Sequence, residues 1–160
     1  MERTLNPVAR WAIYTSWILS LIGVGLATYL TIGHFSSDKT FLACPDSGLI
    51  NCAKVTTSSE SYFLGIPVAV LGLANFVVFA VINSPWVWKI QKYWLAVARF
   101  ALGIISMVFV LWLLTAELLI INNICLYCTG VHVVTFALFV VLVRVCPIQL
   151  GWGVSRSTAQ

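Results

Sequence analysis

Two cysteines three residues apart, Cys125 and Cys128, open the last long apolar run of the chain. A Cys-x-x-Cys pair at a helix start is suited to making and breaking a disulfide. The positive end of the helix stabilises a thiolate, and the spacing lets the two sulfurs meet. Cys44 and Cys52 stand in a polar stretch far upstream, and Cys146 lies near the end of the last apolar run. Three arrangements of the first four sulfurs compete. Two static disulfides are one, although a strained short ring is a poor staple where a bilayer already supplies stability. A four-thiolate zinc site is another: Cys-x-x-Cys suits it, the 44/52 spacing is looser than usual, and an oxidising compartment works against it. The third is a pair of exchanging dithiols, an outer one on a loop and an inner one on a helix. Cys146 reads as a reduced interfacial thiol without a role.

The elements that must position these sulfurs follow from composition. A chain that is 61% hydrophobic and 9% charged, with mean hydropathy +0.99, is not an ordinary soluble domain. Its apolar residues fall in blocks near the length of a bilayer crossing, about 20 residues, at 11–33, 66–82, 94–121 and 125–145. The expected fold is all-α: a single domain over 1–160, built as an integral membrane four-helix bundle with a long loop at 34–64. The net charge of +4 does not point to nucleic acid, because the basic residues are dispersed near the ends of the runs. Arg3, Arg10, Lys89, Lys92, Arg99, Arg144 and Arg156 fall on one side and Lys39 and Lys54 on the other. By the positive-inside rule both termini are cytoplasmic, and the cysteine loop faces the periplasm or its equivalent, where disulfides persist.

The first run is too long for a signal-peptide core, and a polar stretch separates it from Leu42-Ala43-Cys44, so it reads as a retained helix. Gly23, Gly25 and Ala27 would let a neighbouring helix approach closely. In the loop, Pro45-Asp46-Ser47-Gly48 is turn chemistry, and part of 51–61 is expected as a short helix on the membrane surface. The second helix is expected to open at Gly65-Ile66-Pro67. Trp86, Trp88, Tyr93 and Trp94 make an interfacial belt, and the long third run calls for tilt.

Thiol exchange conserves electrons, so a dithiol relay must end in a group that accepts two electrons and two protons. The sequence contains no Cys-x-x-Cys-His haem motif and no glycine-rich nucleotide motif. The simplest sink is a lipid-soluble quinone held between the helices.

The ordered combination of Cys44-x7-Cys52, Ser58, Gly65 and Cys125-x-x-Cys128 resembles the vitamin K epoxide reductase family, over about 31–145. An unrelated four-helix thiol oxidase family carries the two kinds of pair in the reverse order. The resemblance implies a four-helix bundle around a quinone of menaquinone, ubiquinone or vitamin K type, capped by the loop. It implies that Cys44 meets the redox partner, Cys52 exchanges with Cys125, and Cys128 stands next to the quinone, with Ser58 near the active-site sulfurs. In vertebrate members an asparagine before the second helix and a tyrosine four residues after the second active-site cysteine hold the quinone oxygens. Ser61 and His132 occupy those places here. Many bacterial relatives carry a fused thioredoxin-like domain. None appears before Gln160, so the partner is expected as a separate DsbA-like protein. The implied activity is disulfide formation by a thiol:quinone oxidoreductase. Reduction of vitamin K quinone or epoxide, and a non-catalytic membrane protein with a four-cysteine zinc site, are the alternatives.

His132, one helical turn beyond Cys128, is placed to hydrogen-bond a quinone oxygen or handle its protons, or else to bond a neighbouring helix. Glu117 is the one carboxylate inside an apolar run and is expected as a solvated side chain near the outward end of the third helix. His34 and Tyr29 are expected as interfacial anchors, with Phe63, Trp112 and Tyr127 as candidate pocket walls.

Overall fold

The computed structural model describes residues 5–36, 44 and 48–152. Arg3, Lys39 and Arg156 of the charge count, Leu42 and Ala43, and positions 45–47 of the expected turn lie outside the described residues. Within a bilayer a helix satisfies its own backbone polar groups, so apolar runs become helices. In chain order these are α1 (Arg10–Phe35), α2 (Cys52–Thr56), α3 (Val68–Ile82), α4 (Pro85–Trp88), α5 (Tyr93–Thr115) and α6 (Leu126–Gln149). A π-helical segment, Ala116–Ile121, continues α5. Among the described residues the regular structure is helical apart from one hairpin of two-residue strands and an isolated bridge.

Three stretches, Arg10–Phe35, Tyr93–Ile121 and Leu126–Gln149, are long and apolar enough to cross a membrane. The 15 residues of α3 extend about 22 Å at 1.5 Å each. Trp11, Ile105, Val108, Leu119 and Val133 remain exposed on the outside of the bundle. Leaving such side chains in water forgoes about 1.5–3 kcal/mol each, a cost that surrounding lipid removes. These features make the chain an integral membrane protein.

Buried Ala12, Ser16, Ser20, Gly23, Ala27 and Leu30 form one stripe along α1. Against it lie α3 and α6, while α5 packs on α6. The Phe76 ring of α3 rests on Gly23, where a methyl group would collide with it. Ala27 joins Phe76, Phe79, Leu138, Leu142 and Cys146 in the core, whereas Gly25 faces open space. Cys146 is thus a core thiol, fully buried.

At the end of the bundle away from the other cysteines, Arg99 is buried rather than facing the aqueous loop. Its Nε and Nη2 donate to the Ile82 carbonyl at 2.9 and 2.7 Å, and its guanidinium lies 3.8 Å from the centre of the Trp88 ring. The charge caps the negative end of α3.

Three boundaries differ from the sequence expectation. Helix α6 continues through Pro147 to Gln149 instead of ending near Val145. In the last turn the proline forfeits one hydrogen bond, and Asn6 supplies compensation there by donating to the Gln149 and Ile148 carbonyls at 3.1 and 2.8 Å. Helix α3 starts at Val68, because Ile66–Pro67 forms strand β2 against β1, Tyr62–Phe63. The turn between them has positive φ at both Leu64 (52°) and Gly65 (82°), a conformation glycine accepts freely and leucine does not. The expected surface helix within 51–61 is divided into α2 and a 3-10 turn, Ser59–Ser61.

Candidate functional site

Cys52 opens α2 and Cys125 is the N-cap of α6. The residues immediately before them are joined: Asn51 N–H donates to the Ile124 carbonyl at 3.2 Å, and Ile124 N–H donates to the Leu49 carbonyl at 2.8 Å. This parallel bridge, Ile50 beside Ile124, fastens the loop to the mouth of the bundle. The Asn51 side chain also accepts from the Lys54 amide at 2.8 Å, which fixes the first turn of α2. Asn123 completes the clamp. Its amide donates to the Gly48 and Leu49 carbonyls at 3.3 Å each, and its oxygen accepts from Lys54 Nζ at 2.5 Å.

The clamp gathers Cys52 and Cys125 into one buried cluster with Leu30 and Val55, with Cys44 and Cys128 packed against it. Cys44 and Cys52 are bonded as a disulfide. Cys125 and Cys128 are free thiols in mutual hydrogen-bonding contact, and the Cys128 amide donates to Cys125 Sγ at 3.4 Å. Cys44 and Cys52 thus spend their sulfurs on each other, and the inner pair stands as two thiols. The Cys125 thiol, just ahead of the membrane-spanning part of α6, is held below the ordinary cysteine range. Hydrogen bonding from the Cys128 thiol is the main cause, the Cys128 and Tyr127 amides add to it, and burial and the Glu117 charge oppose it.

Glu117 is 4% exposed, not solvated as the sequence led us to expect. The π-helical segment widens the helix by one residue per turn at this point, a distortion frequent at functional sites. Asn122, in the left-handed conformation at φ 56°, ends the segment, and Asn123 N–H closes back on the Glu117 carbonyl at 3.2 Å. The carboxyl then lies among the thiols, bonded to the Cys128 side chain and the Cys125 backbone amide.

Behind the cysteines a cavity of about 370 Å³ opens between the helices, within the range of pockets for small organic molecules. Of the four cysteines that could exchange, Cys128 lines it and Cys44, Cys52 and Cys125 do not. Its walls are mostly apolar and include Phe63, Phe76, Phe109 and Leu113. Ser58, Ser61 and His132 also line it. The two serine hydroxyls already donate to backbone, Ser58 to Val55 O at 2.8 Å and Ser61 to Ser58 O at 2.6 Å. His132 is buried, and its Nδ1 is enclosed by protein atoms without a hydrogen-bond partner. A flat, largely apolar ring fits the residues present.

Asn75 and Ser106, in the middle of apolar runs and not anticipated from sequence, also line the cavity, with the Ser106 hydroxyl donating to Asn75 Oδ1 at 3.1 Å. A polar residue inside a membrane run was the available signal. Phe63 lines the cavity, Trp112 packs edge-on against it with ring centres 5.7 Å apart, and Tyr127 instead meets Tyr29 at 4.8 Å. His34 and Tyr29 do more than anchor an interface. His34 bonds the Thr56 carbonyl at 3.0 Å and the Tyr62 hydroxyl at 3.1 Å, and Tyr29 packs on the cysteine cluster.

A disulfide and a dithiol in one buried cluster, at the mouth of an apolar helical bundle, define a membrane oxidoreductase that forms disulfides. Residues 14–143 match the model of the vitamin K epoxide reductase family, and the chain belongs to that family. The family is generally quinone-dependent, and its members typically interact with a thioredoxin-fold partner.

Proposed function

We propose that the protein is a thiol:quinone oxidoreductase that reoxidises a DsbA-like thioredoxin-fold protein and passes the electrons to a quinone in the cavity. The observation that carries this reading is the unequal placement of the sulfurs: Cys128 lines the cavity, Cys125 is fully buried beside Cys52, and Cys44 is the half-buried member of the outer disulfide. A partner thiolate attacks Cys44, the accessible sulfur, and releases Cys52. The partner's second thiolate displaces Cys44, and the partner leaves oxidised. Cys52 attacks Cys125 of the inner disulfide so that Cys128 leaves, and Cys44 then attacks Cys52 and displaces Cys125 to restore the outer disulfide. The products are an outer disulfide and an inner dithiol, the combination present in the structure. It is the state in which the two electrons stand next to the cavity. A bound quinone supplies the two-electron oxidation there. Cys128 presents its sulfur, His132 orients an oxygen, and the aromatic wall excludes water.

In this reading α3, extended by the hairpin and α4, is the fourth crossing. The termini are cytoplasmic and the cysteines lie on the periplasmic side of the inner membrane. The test is to supply reduced thioredoxin-fold protein and a short-chain quinone to the purified enzyme. Quinone consumption is expected, and a partner lacking its second cysteine should be trapped on Cys44 of the intact enzyme. A partner trapped on Cys125 would remove the shuttle role of the outer pair.

A further inference from the structure

Exchange between the cysteine pairs moves protons as well as electrons, and the half-buried sulfur next to the cavity faces mostly apolar walls. When Cys128 leaves the inner disulfide it departs as a thiolate and must be protonated. When it is oxidised again it must lose that proton. Glu117 is the carboxyl in contact with Cys128, held there by the π-helical segment and the Asn123 closure. Its two partners in this dithiol state, the Cys128 thiol and the Cys125 amide, are both hydrogen donors, so the carboxyl oxygens act as acceptors. Glu117 also lines the cavity, so one group touches both the leaving sulfur and the space where the electron acceptor sits.

We propose that Glu117 is the proton donor and acceptor of Cys128, carrying its proton between the thiol and the cavity. In the reductive half, Cys52 thiolate forms a bond to Cys125, the Cys125 to Cys128 bond breaks, and the Glu117 carboxyl gives its proton to the departing Cys128 sulfur. In the oxidative half, the Cys125 to Cys128 bond reforms as two electrons pass to the quinone. The Glu117 carboxylate takes the Cys128 proton and hands it to a quinone oxygen. The Cys125 proton completes the pair required for the quinol. A proton released from the partner's thiols then returns to Glu117, which ends each cycle as it began.

This role rests on the relay described above, and its test needs no quinone. The inner pair of the full-length enzyme is switched between disulfide and dithiol with a chemical oxidant and reductant while infrared difference spectra are recorded. A protonated-carboxyl band should disappear on reduction, and Glu117→Gln should lack it. With the inner pair reduced, alkylation of Cys128 by iodoacetamide near neutral pH should slow about 100-fold in Glu117→Gln and recover in part in Glu117→Asp. A wild-type spectrum with no carboxyl change, or Glu117→Gln alkylation within threefold of wild type, would overturn the proposal. The wild-type spectrum decides the matter even where the variant fails to fold. A wild-type enzyme that shows the band but consumes no quinone would instead count against the relay.

Discussion

The helical stretch from Tyr93 to Ile121 and helix α6 bring a buried charge against a thiol at each end of the molecule. At one end Arg99 lies near Cys146, and at the other Glu117 touches Cys128. The difference between the two ends is in what holds the charge. Arg99 donates twice to a backbone carbonyl and covers the Trp88 ring, and none of these partners can change during a reaction. Glu117 is held by a thiol, a group able to lose its hydrogen, beside a cavity that can admit a ligand. A cysteine near a charge is therefore not in itself a redox site. Cys146 is enclosed by core side chains, whereas Cys128 has a second thiol on one side and open space on another.

The most severe way to break this contrast is to remove each thiol in turn. Cys128→Ala should lower quinone reduction at least about 1000-fold, as expected for loss of an attacking group, whereas Cys146→Ala should leave it within about twofold. Equal losses in a steady-state quinone assay would erase the distinction between the two ends.

The clamp at the cysteine end gives a smaller effect. Asn123→Ala removes the bonds to Lys54 Nζ and to the Gly48 and Leu49 carbonyls. Misplacing a reacting group by about 1 Å can cost on the order of 100-fold. Electron transfer from the outer to the inner pair should slow by about 10- to 100-fold in rapid-mixing experiments. Quinone reduction by enzyme whose inner pair has been reduced chemically should be nearly unchanged.

His132→Leu should raise the quinone KM about tenfold, the loss of one hydrogen bond of about 1.4 kcal/mol. The alkylation rate of Cys128 should stay constant. At the opposite end, Arg99→Met should lower stability by about 2–3 kcal/mol, since the Ile82 carbonyl loses its charged donor. This is read from thermal unfolding in detergent, and turnover per folded molecule should be preserved. A turnover loss that exceeds the loss of folded protein would give Arg99 a part in the chemistry.

The long elements were legible because hydropathy alone reports them: α1, the Tyr93–Ile121 stretch and α6 begin within a few residues of their expected starts. The cysteine spacing was legible as well, since a Cys-x-x-Cys at a helix start carries its chemistry in three residues. Glu117 was not, because its burial depends on a π-helical turn that periodicity at 3.6 residues does not register. Pairing between helices also escaped. Nothing near Asn75 in the chain announces Ser106 across the bundle, and nothing near Cys52 announces the bridge from Asn51 to Ile124. The hairpin at Tyr62 to Pro67 was hidden for a local reason, since its turn seats a leucine at positive φ, where turn rules anticipate asparagine or glycine.

Division of labour within the inner pair, with Cys125 facing the protein relay and Cys128 facing the cavity, is tested most directly by disulfide mapping in Cys44→Ala. Without Cys44 the relay stops after Cys52 has attacked the inner disulfide. Mass spectrometry of protein whose inner pair has been oxidised with a short-chain quinone should find Cys52 bonded to Cys125 with Cys128 unpaired. A bond between Cys52 and Cys128 would contradict the assignment of the two sulfurs.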